Sequence, residues 1–275
     1  MPAFDKNKWI YSYEVDFTNS VKTTNKIKQM LKEANCIVDS IFFCHGSLNF
    51  LGGLTSTVLE YDTINKINVR ATMHFMSICV PYMRLDKYDL VKKLSVPFNG
   101  PYHSLKSITV LSSSAGEKPW PGHMIYNSVM ASLNMLVKCA ALENAPHGIR
   151  INAVAPGCIR STRLRTTKEG GYKQQLTQMQ NSEYLMEQAK CTPLLQFAAP
   201  VNKPTGHYIY QINEPYEVAT QMMWLGTFKS SFMNGEVMVI DGGLSLTTSN
   251  YLKYLDNEEK SDIERAKEAQ NEPIR

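Results

Sequence analysis

The sequence predicts an α/β fold, a parallel sheet with flanking helices, and two observations carry that prediction. Short apolar runs alternate with longer segments of helical periodicity, the pattern of repeated βαβ units. Several of those runs are nearly continuous in apolar residues, as in strands covered on both faces. At 275 residues, 43% hydrophobic and 20% charged, the chain can bury a sizeable core as one large domain with appendages.

The elements follow in order. "WIYSYEV" (9–15) reads as a strand. Asp16 comes next, and Thr18 or Ser20 is placed to cap a helix through "VKTTNKIKQMLKEA". "VDSIFFC" (38–44) is a second strand, and "INKINVRATMHFMSICVPYM" (64–83) has the apolar spacing of a long helix. "SITVLSS" (107–113), a helix over "IYNSVMASLNMLVKCAALE" (125–143) and the strand "IRINAVAPG" (149–157) continue the alternation. "EPYEVATQMMWLGTF" (214–228) is a last helix with Pro215 in its first turn, where a missing N–H costs nothing, and "EVMVIDGG" (236–243) is the last strand.

Three segments stand apart from this pattern. Residues 84–106 are longer than the connection a compact α/β unit needs between helix and strand, and read as an insertion. Residues 158–213 are polar and irregular, read as a lid or surface loop. The tail 250–275 is densely charged with mixed sign, which leaves 1–249 as the folded domain.

Composition narrows the function classes. A net charge of +4 spread along the chain argues against a nucleic-acid partner. The six cysteines occur singly, so reduced thiols in an intracellular, reducing compartment are expected, with neither a disulfide framework nor a zinc site. The N-terminus lacks the apolar core of a leader peptide, and no membrane span is expected. Cys44 adjoins His45, which is expected to pack at the edge of the core because a zinc site needs three or four convergent ligands. Met73, Met76, Met83, Met130, Met135, Met222 and Met223 fall in helical segments and are expected to fill the core. Tyr102 and Trp120 are read as partly buried, with a recognition surface as the alternative.

Taken together, "INKINVRATMHF", "ITVLSSSAG", "YNSVMASLNML", "HGIRINAVAPGCIRST" and "NGEVMVIDGG" resemble a classical short-chain dehydrogenase/reductase from about residue 9 to 246. The resemblance implies a Rossmann-type sheet, an NAD or NADP cofactor, and hydride transfer to or from a carbonyl or alcohol carbon. It assigns Ser113 to the reacting oxygen, Tyr126 to the proton, and Asn68 to a helix bend and a proton-relay water. Asp16 matches the residue that meets the adenine, Gly46 the glycine of the cofactor loop, and Pro156, Gly157, Ile159 and Ser161 the turn that holds the nicotinamide carboxamide. Strand-ending and capping roles also suffice to explain Asp16 and the Pro-Gly turn.

Two departures from the family pattern set the functional expectation. The family lysine four residues after the tyrosine is Met130 here. A tyrosine has a pKa of about 10 and needs a neighbouring cation to ionise near neutrality, and a thioether supplies none. Lys138, eight residues beyond Met130, lies about 12 Å further along a helix rising roughly 1.5 Å per residue. In addition, the sequence begins at the third family strand, so the first two strands and their glycine-rich phosphate turn are expected to be missing. That would leave residues 38–44 as an open edge, closed by the preceding strand or by a protein partner or second copy, unless the sequence is incomplete. The expectation is a catalytically inactive scaffold or accessory subunit, with no bound cofactor. The alternative is an active NAD(P)-dependent oxidoreductase whose cofactor-binding half is supplied elsewhere.

Overall fold

The computed structural model describes residues 19–34, 38–47, 57–85, 105–120, 122–159, 192–194, 196–197, 210–211 and 214–247. The expected strand at 9–15, Asp16, Tyr102, Ser161 and the tail 250–275 lie outside these residues, as do most of the 84–106 and 158–213 segments. The chain forms two compact units: Met1–Pro156 with Tyr216–Ile240, and Gly157–Pro215 with Asp241–Arg275.

The first unit is a parallel sheet in the order β1 (Ser40–Phe43), β2 (Lys106–Leu111), β3 (Ile149–Pro156) and β6 (Val237–Ile240). Register pairs Ser40 with Ser107, Ser107 with Arg150, and Pro156 with Ile240. Its helices are α1 (Ser20–Ala34), α2 (Val58–Asn65), α3 (Ala71–Met83), α4 (Met124–Asn144) and α5 (Pro215–Gly226). The α/β fold predicted from the alternation of elements, a parallel sheet with flanking helices, is the fold observed. In the second unit, β4 (Gln196–Phe197) and β5 (Tyr210–Gln211) pair antiparallel, and Leu194 N donates to Gly242 O at 2.9 Å.

Strand alternation sorts the sheet into two faces. One face carries Phe43, Ile108, Val110, Ile149, Ile151 and Ala153, which form a single buried cluster with Met76, Val80 and Met83 of α3 and Met130, Leu133, Val137 and Ala141 of α4. Helix α1 joins that layer through Ile27 and Leu31 against Ile78 and Cys79. The opposite face is mixed: polar Ser107, Thr109, Arg150 and Asn152 are all buried there, together with Val154. Among the described residues, β1 and β6 are the edges of the sheet.

Several boundaries and roles differ from expectation. Helix α1 is capped by Asn19, whose Oδ1 accepts from Lys22 N at 3.1 Å, with Ser20 already inside the helix and Thr18 outside the described residues. The helix expected over 64–83 starts six residues earlier because Thr57 and Glu60 form a reciprocal capping box. It is also interrupted by a π-helical turn, Lys66–Arg70. Met76, Met83, Met130 and Met222 fill core positions, whereas Met73, Met135 and Met223 are more than half exposed. They lie on the helix faces turned away from the sheet. One helix among the described residues, Met124–His147, is long and apolar enough by length and composition to cross a membrane. In this fold Val129, Leu133, Val137 and Ala141 bury one side of it within the first unit.

Candidate functional site

The site is built at the C-terminal ends of the parallel strands, where an open α/β sheet places its ligands. Asn68 is its best-fixed member. It sits 4% exposed in the π-helical turn, and its Nδ2 donates to Ile64 O at 3.0 Å, taking the carbonyl that its own backbone N–H would bind in a regular helix. The helix answers by widening, and Ala71 N reaches back five residues to Lys66 O. The rest of the carboxamide clasps the loop after β1: Oδ1 accepts from Ser47 N at 2.8 Å and Nδ2 donates to Ser47 O at 2.9 Å.

A second bond from the same helix holds that loop. Thr72 Oγ1 donates to Asn68 O at 2.7 Å and lies 3.1 Å from His45 Nε2. With the threonine hydrogen committed to Asn68 O, His45 is the donor in the second contact, which fixes its proton on Nε2. His45 is half-buried, edge-on to Phe43. This agrees with the expected core-edge packing, and among the described residues no cluster of ligating side chains forms a metal site. Gly46, between the two clasped residues, is half-buried.

Ser113 and Tyr126 come from β2 and α4. Ser113 leaves β2 in extended conformation and its Oγ accepts from Ala115 N at 3.2 Å, capping a short 3-10 turn, Ser114–Gly116. That turn lies directly on α4: a Cβ at Gly116 would sit 2.8 Å from the carbonyl carbon of Met130 and 2.7 Å from Asn134 Nδ2. Only glycine permits this approach. The turn is tied down on either side of Ser113, since Ser112 Oγ donates to Asn134 Oδ1 and Asn134 Nδ2 donates to Glu117 Oε1 at 2.7 Å.

Tyr126, Met130 and Asn134 recur every four residues along one side of α4. Tyr126 is half-buried and packs against the clusters containing Ile64, Ile125, Val129 and Met130, and Val69 of the π-turn meets the same clusters. The π-turn that holds Asn68 and the 3-10 turn that follows Ser113 thus both pack on α4, which carries Tyr126 in its first turn and Met130, 3% exposed, one turn further on. Lys138 is exposed at the far end of α4.

Of the residues matched to nucleotide binding, Pro156 ends β3. Gly157 and Ile159 follow it in the second unit, both half-buried. A Cβ on Gly157 would come within 2.8 Å of Asp241 Cβ, so packing alone requires a glycine there. Asp241 in turn accepts from Gly243 N at 3.0 Å and Ser245 N at 2.7 Å. Sequence reading missed Ser47, Thr72, Ser112, Glu117 and Asn134. Asn134 was accessible by its spacing of four and eight from Met130 and Tyr126, whereas Ser47 takes part only through its backbone.

A parallel doubly wound sheet with an asparagine-bent helix, a serine at the end of the strand before the tyrosine helix, and that tyrosine near the helix start defines an oxidoreductase-type α/β protein. Comparison with known proteins agrees. A family model described as Enoyl-(Acyl carrier protein) reductase matches residues 6–210. The chain belongs to the short-chain dehydrogenase/reductase family. It is 27% identical over 190 residues to a chloroplastic tropinone reductase homolog of Arabidopsis thaliana, covering 69% of this chain and 46% of that protein. It is 27% identical over 218 residues to the 3-oxoacyl-acyl-carrier-protein reductase FabG of Thermotoga maritima, covering 76% and 70%. The chain thus spans about half the length of the Arabidopsis relative. The aldohexose dehydrogenase of Thermoplasma acidophilum, solved in ligand-free form, shares the fold with a TM-score of 0.65 at 22% identity over 90% of this chain and 84% of that one.

Proposed function

We propose that this chain keeps the oxidoreductase fold as a scaffold, does not transfer hydride on its own, and serves as a structural or accessory subunit of an oligomer or larger assembly. The observation that carries this reading is Met130, 3% exposed within the apolar core one helical turn beyond Tyr126. A tyrosine with pKa about 10 works near neutrality only beside a positive charge, and the residue placed to provide it is a thioether. The same thioether offers no hydrogen to the hydroxyls of a nicotinamide ribose. The residues at that end of the site therefore do not fit the cofactor the family uses. The surface we assign to a partner is the edge of β1, which among the described residues ends the sheet and carries Phe42, 36% exposed. The free thiols of Cys44, Cys79, Cys139 and Cys158 support a reducing compartment.

The test is direct. The purified chain is titrated with NADH and NADPH by calorimetry, then assayed with both against a panel of ketones and aldehydes. Neither binding nor consumption is expected, and micromolar binding together with ordinary turnover would overturn the reading.

A second reading is an active NAD(P)-dependent oxidoreductase acting on a carbonyl or alcohol, with its cofactor-binding half supplied elsewhere. The double clasp of Asn68 on Ser47 and the close approach of the Ser113 turn to α4 support it, because both hold the reacting side of the site in order. Turnover that appears only when a partner chain or a longer form of the protein is present would select this reading.

A further inference from the structure

Helix α1 and strand β1 meet at one end of the described sheet. Ile27 and Leu31 of α1 pack with Val38 and Ile41, and His74 Nε2 of α3 holds the start of α1 through Thr24 Oγ1 at 2.8 Å and Ser20 O at 3.2 Å. The solvent side of α1 is basic. Lys22, Lys28 and Lys32 are exposed and, among the described residues, none of the three is in an ion pair. Lys22 with Lys26, and Lys28 with Lys32, are like charges four residues apart, a spacing that destabilises a helix. Lys22 also stands in the first turn, where no acidic residue meets the positive end of the helix dipole. The sequence of α1 holds one carboxylate residue, Glu33, while neighbouring α3 holds none and is preceded by exposed Arg70.

The strand under this helix offers backbone. Ser107 N donates to Asp39 O at 3.0 Å, and Ser40 stands opposite Ser107 in the parallel register. A parallel ladder bonds each strand through alternate residues, so the N–H and C=O groups of Ser40 and Phe42 point away from β2, to the edge. Ser40–Phe43 carries neither the charge nor the proline that usually blunts an edge. A second copy could continue the sheet only antiparallel, about a two-fold axis normal to it, and that axis sets α1 beside its own counterpart on one face, lysine against lysine. We propose that the edge of β1 and the basic side of α1 together dock an extended segment of a different protein, one that alternates carboxylate and apolar residues. Its backbone pairs with Ser40 and Phe42, its carboxylates lie on the α1 face near the lysines, and its apolar side chains lie on the other face beside Phe42. This rests on the scaffold reading, which assigns that edge to a partner, and adds the partner's chemistry.

The probe is the acetylated, amidated heptapeptide EVEVEVE, titrated into the full chain beside KVKVKVK, which reverses the charge, and EVEPEVE, which keeps the charge but loses strand pairing. EVEVEVE is expected to bind saturably, about tenfold or more tightly than either counterpart, and to weaken as salt screens the charges. It should also slow hydrogen exchange at the Ser40 and Phe42 amides, which in the unbound chain exchange faster than that of Ile41 on the β2 side. Lys22→Gln, Lys28→Gln and Lys32→Gln combined should abolish the preference over KVKVKVK and melt no lower than the native chain, since like charges are relieved; a lower melting temperature would mean that the lysines serve the fold, against the proposal. Equal binding of the three peptides, Ser40 and Phe42 amides already protected in the monomeric chain, or a dimer that shields them, would overturn it. So would lysine-dependent binding of phosphatidylserine vesicles or single-stranded RNA in place of the peptide. None of these readouts uses a nicotinamide cofactor, so their failure is distinct from that of the scaffold reading, which falls on NADPH binding and turnover.

Discussion

Ser107 and Arg150 stand opposite each other in the register of β2 and β3, and both side chains end on the C-terminal carbonyls of α5. Ser107 Oγ donates to Gly226 O at 3.1 Å, while Arg150 Nη2 donates to Leu225 O at 3.0 Å and Thr227 O at 3.1 Å. Arg150 Nη1 adds Ser230 O at 2.8 Å. A guanidinium 3% exposed is thus held by carbonyl dipoles at the negative end of a helix. Burial moves its pKa below the ordinary value, a direction that opposes the charged form.

Replacing Arg150 by methionine should therefore cost about 3 kcal/mol or more, because it strands several carbonyls at once. Lysine keeps the charge but not the planar fork that reaches both sets of acceptors, and should recover less than half of the loss. Urea midpoints at unchanged m-value measure both.

The Asn68 clasp gives a prediction with a pH signature. Asn68→Ala removes two donated bonds and one accepted bond and should cost about 2 to 3 kcal/mol. Asn68→Asp keeps the acceptor but turns carboxylate oxygen toward the carbonyls of Ser47 and Ile64, which in the native protein lie 2.9 and 3.0 Å from the amide nitrogen. That repulsion raises the folded-state pKa above the unfolded value of about 3.9, so the protonated acid is the stabilising form. The deficit relative to the native protein should be smallest near pH 4 and grow as pH rises through the folded pKa. Denaturation curves across that range check the sign.

The thiols divide by accessibility. Burial pushes Cys79 and Cys158 up to about 12, from an ordinary value of 9.0, and raises Cys44 more modestly. Among the described cysteines, exposed Cys139 should be alkylated first at pH 8, Cys44 more slowly, partly exposed Cys158 more slowly still, and buried Cys79 only on unfolding. Above pH 9 the unfolded thiols ionise while the folded ones stay protonated. The unfolded state then binds fewer protons, so these two residues make stability fall as pH rises from about 9 toward 12. Peptide mapping after timed alkylation orders the sites, and alkaline melting curves test the slope.

Much of the fold was legible because its strands carry the apolar residues of a buried face and its helices repeat apolar residues every three or four positions. Asn68, Ser113 and Tyr126 were assigned through the family resemblance of the motifs around them, whereas the clasp of Asn68 on Ser47, 21 residues away, was not foreseen. What stayed hidden depends on distance or on weak local pattern. The clamp on α5 joins Arg150 to carbonyls 75 to 80 residues away, and no local spacing announces it. The capping box of Thr57 and Glu60 was present in the sequence, yet the short helix it opens has apolar residues without a clear stripe, since Val58 and Leu59 are exposed and only Ile64 is buried. Methionine in a helical segment says little about which side it faces, as exposed Met73 and buried Met76 show within one turn.

The replacement of Met130 by lysine tests the site and the scaffold together. Met130→Leu conserves volume in the buried cluster and should cost less than about 1.5 kcal/mol. Met130→Lys places an ammonium where the native side chain is 3% exposed, among Val110, Leu133 and Val137. Desolvation lowers the folded-state pKa of such a lysine below its unfolded value of about 10.4. Between those two values the unfolded state binds more protons, so the variant should be weakest at low and neutral pH and regain stability as pH rises toward about 10.4. A depression of about two units corresponds to roughly 2.7 kcal/mol lost at pH 7. Melting temperatures of the two variants from pH 6 to 10 read this out, and NADPH consumption is followed on the same samples. A lysine that leaves stability unchanged, stays charged at neutral pH and brings turnover with it would mean that position 130 opens beside Tyr126 onto a usable cofactor site, and the scaffold reading would fall to the enzymatic one.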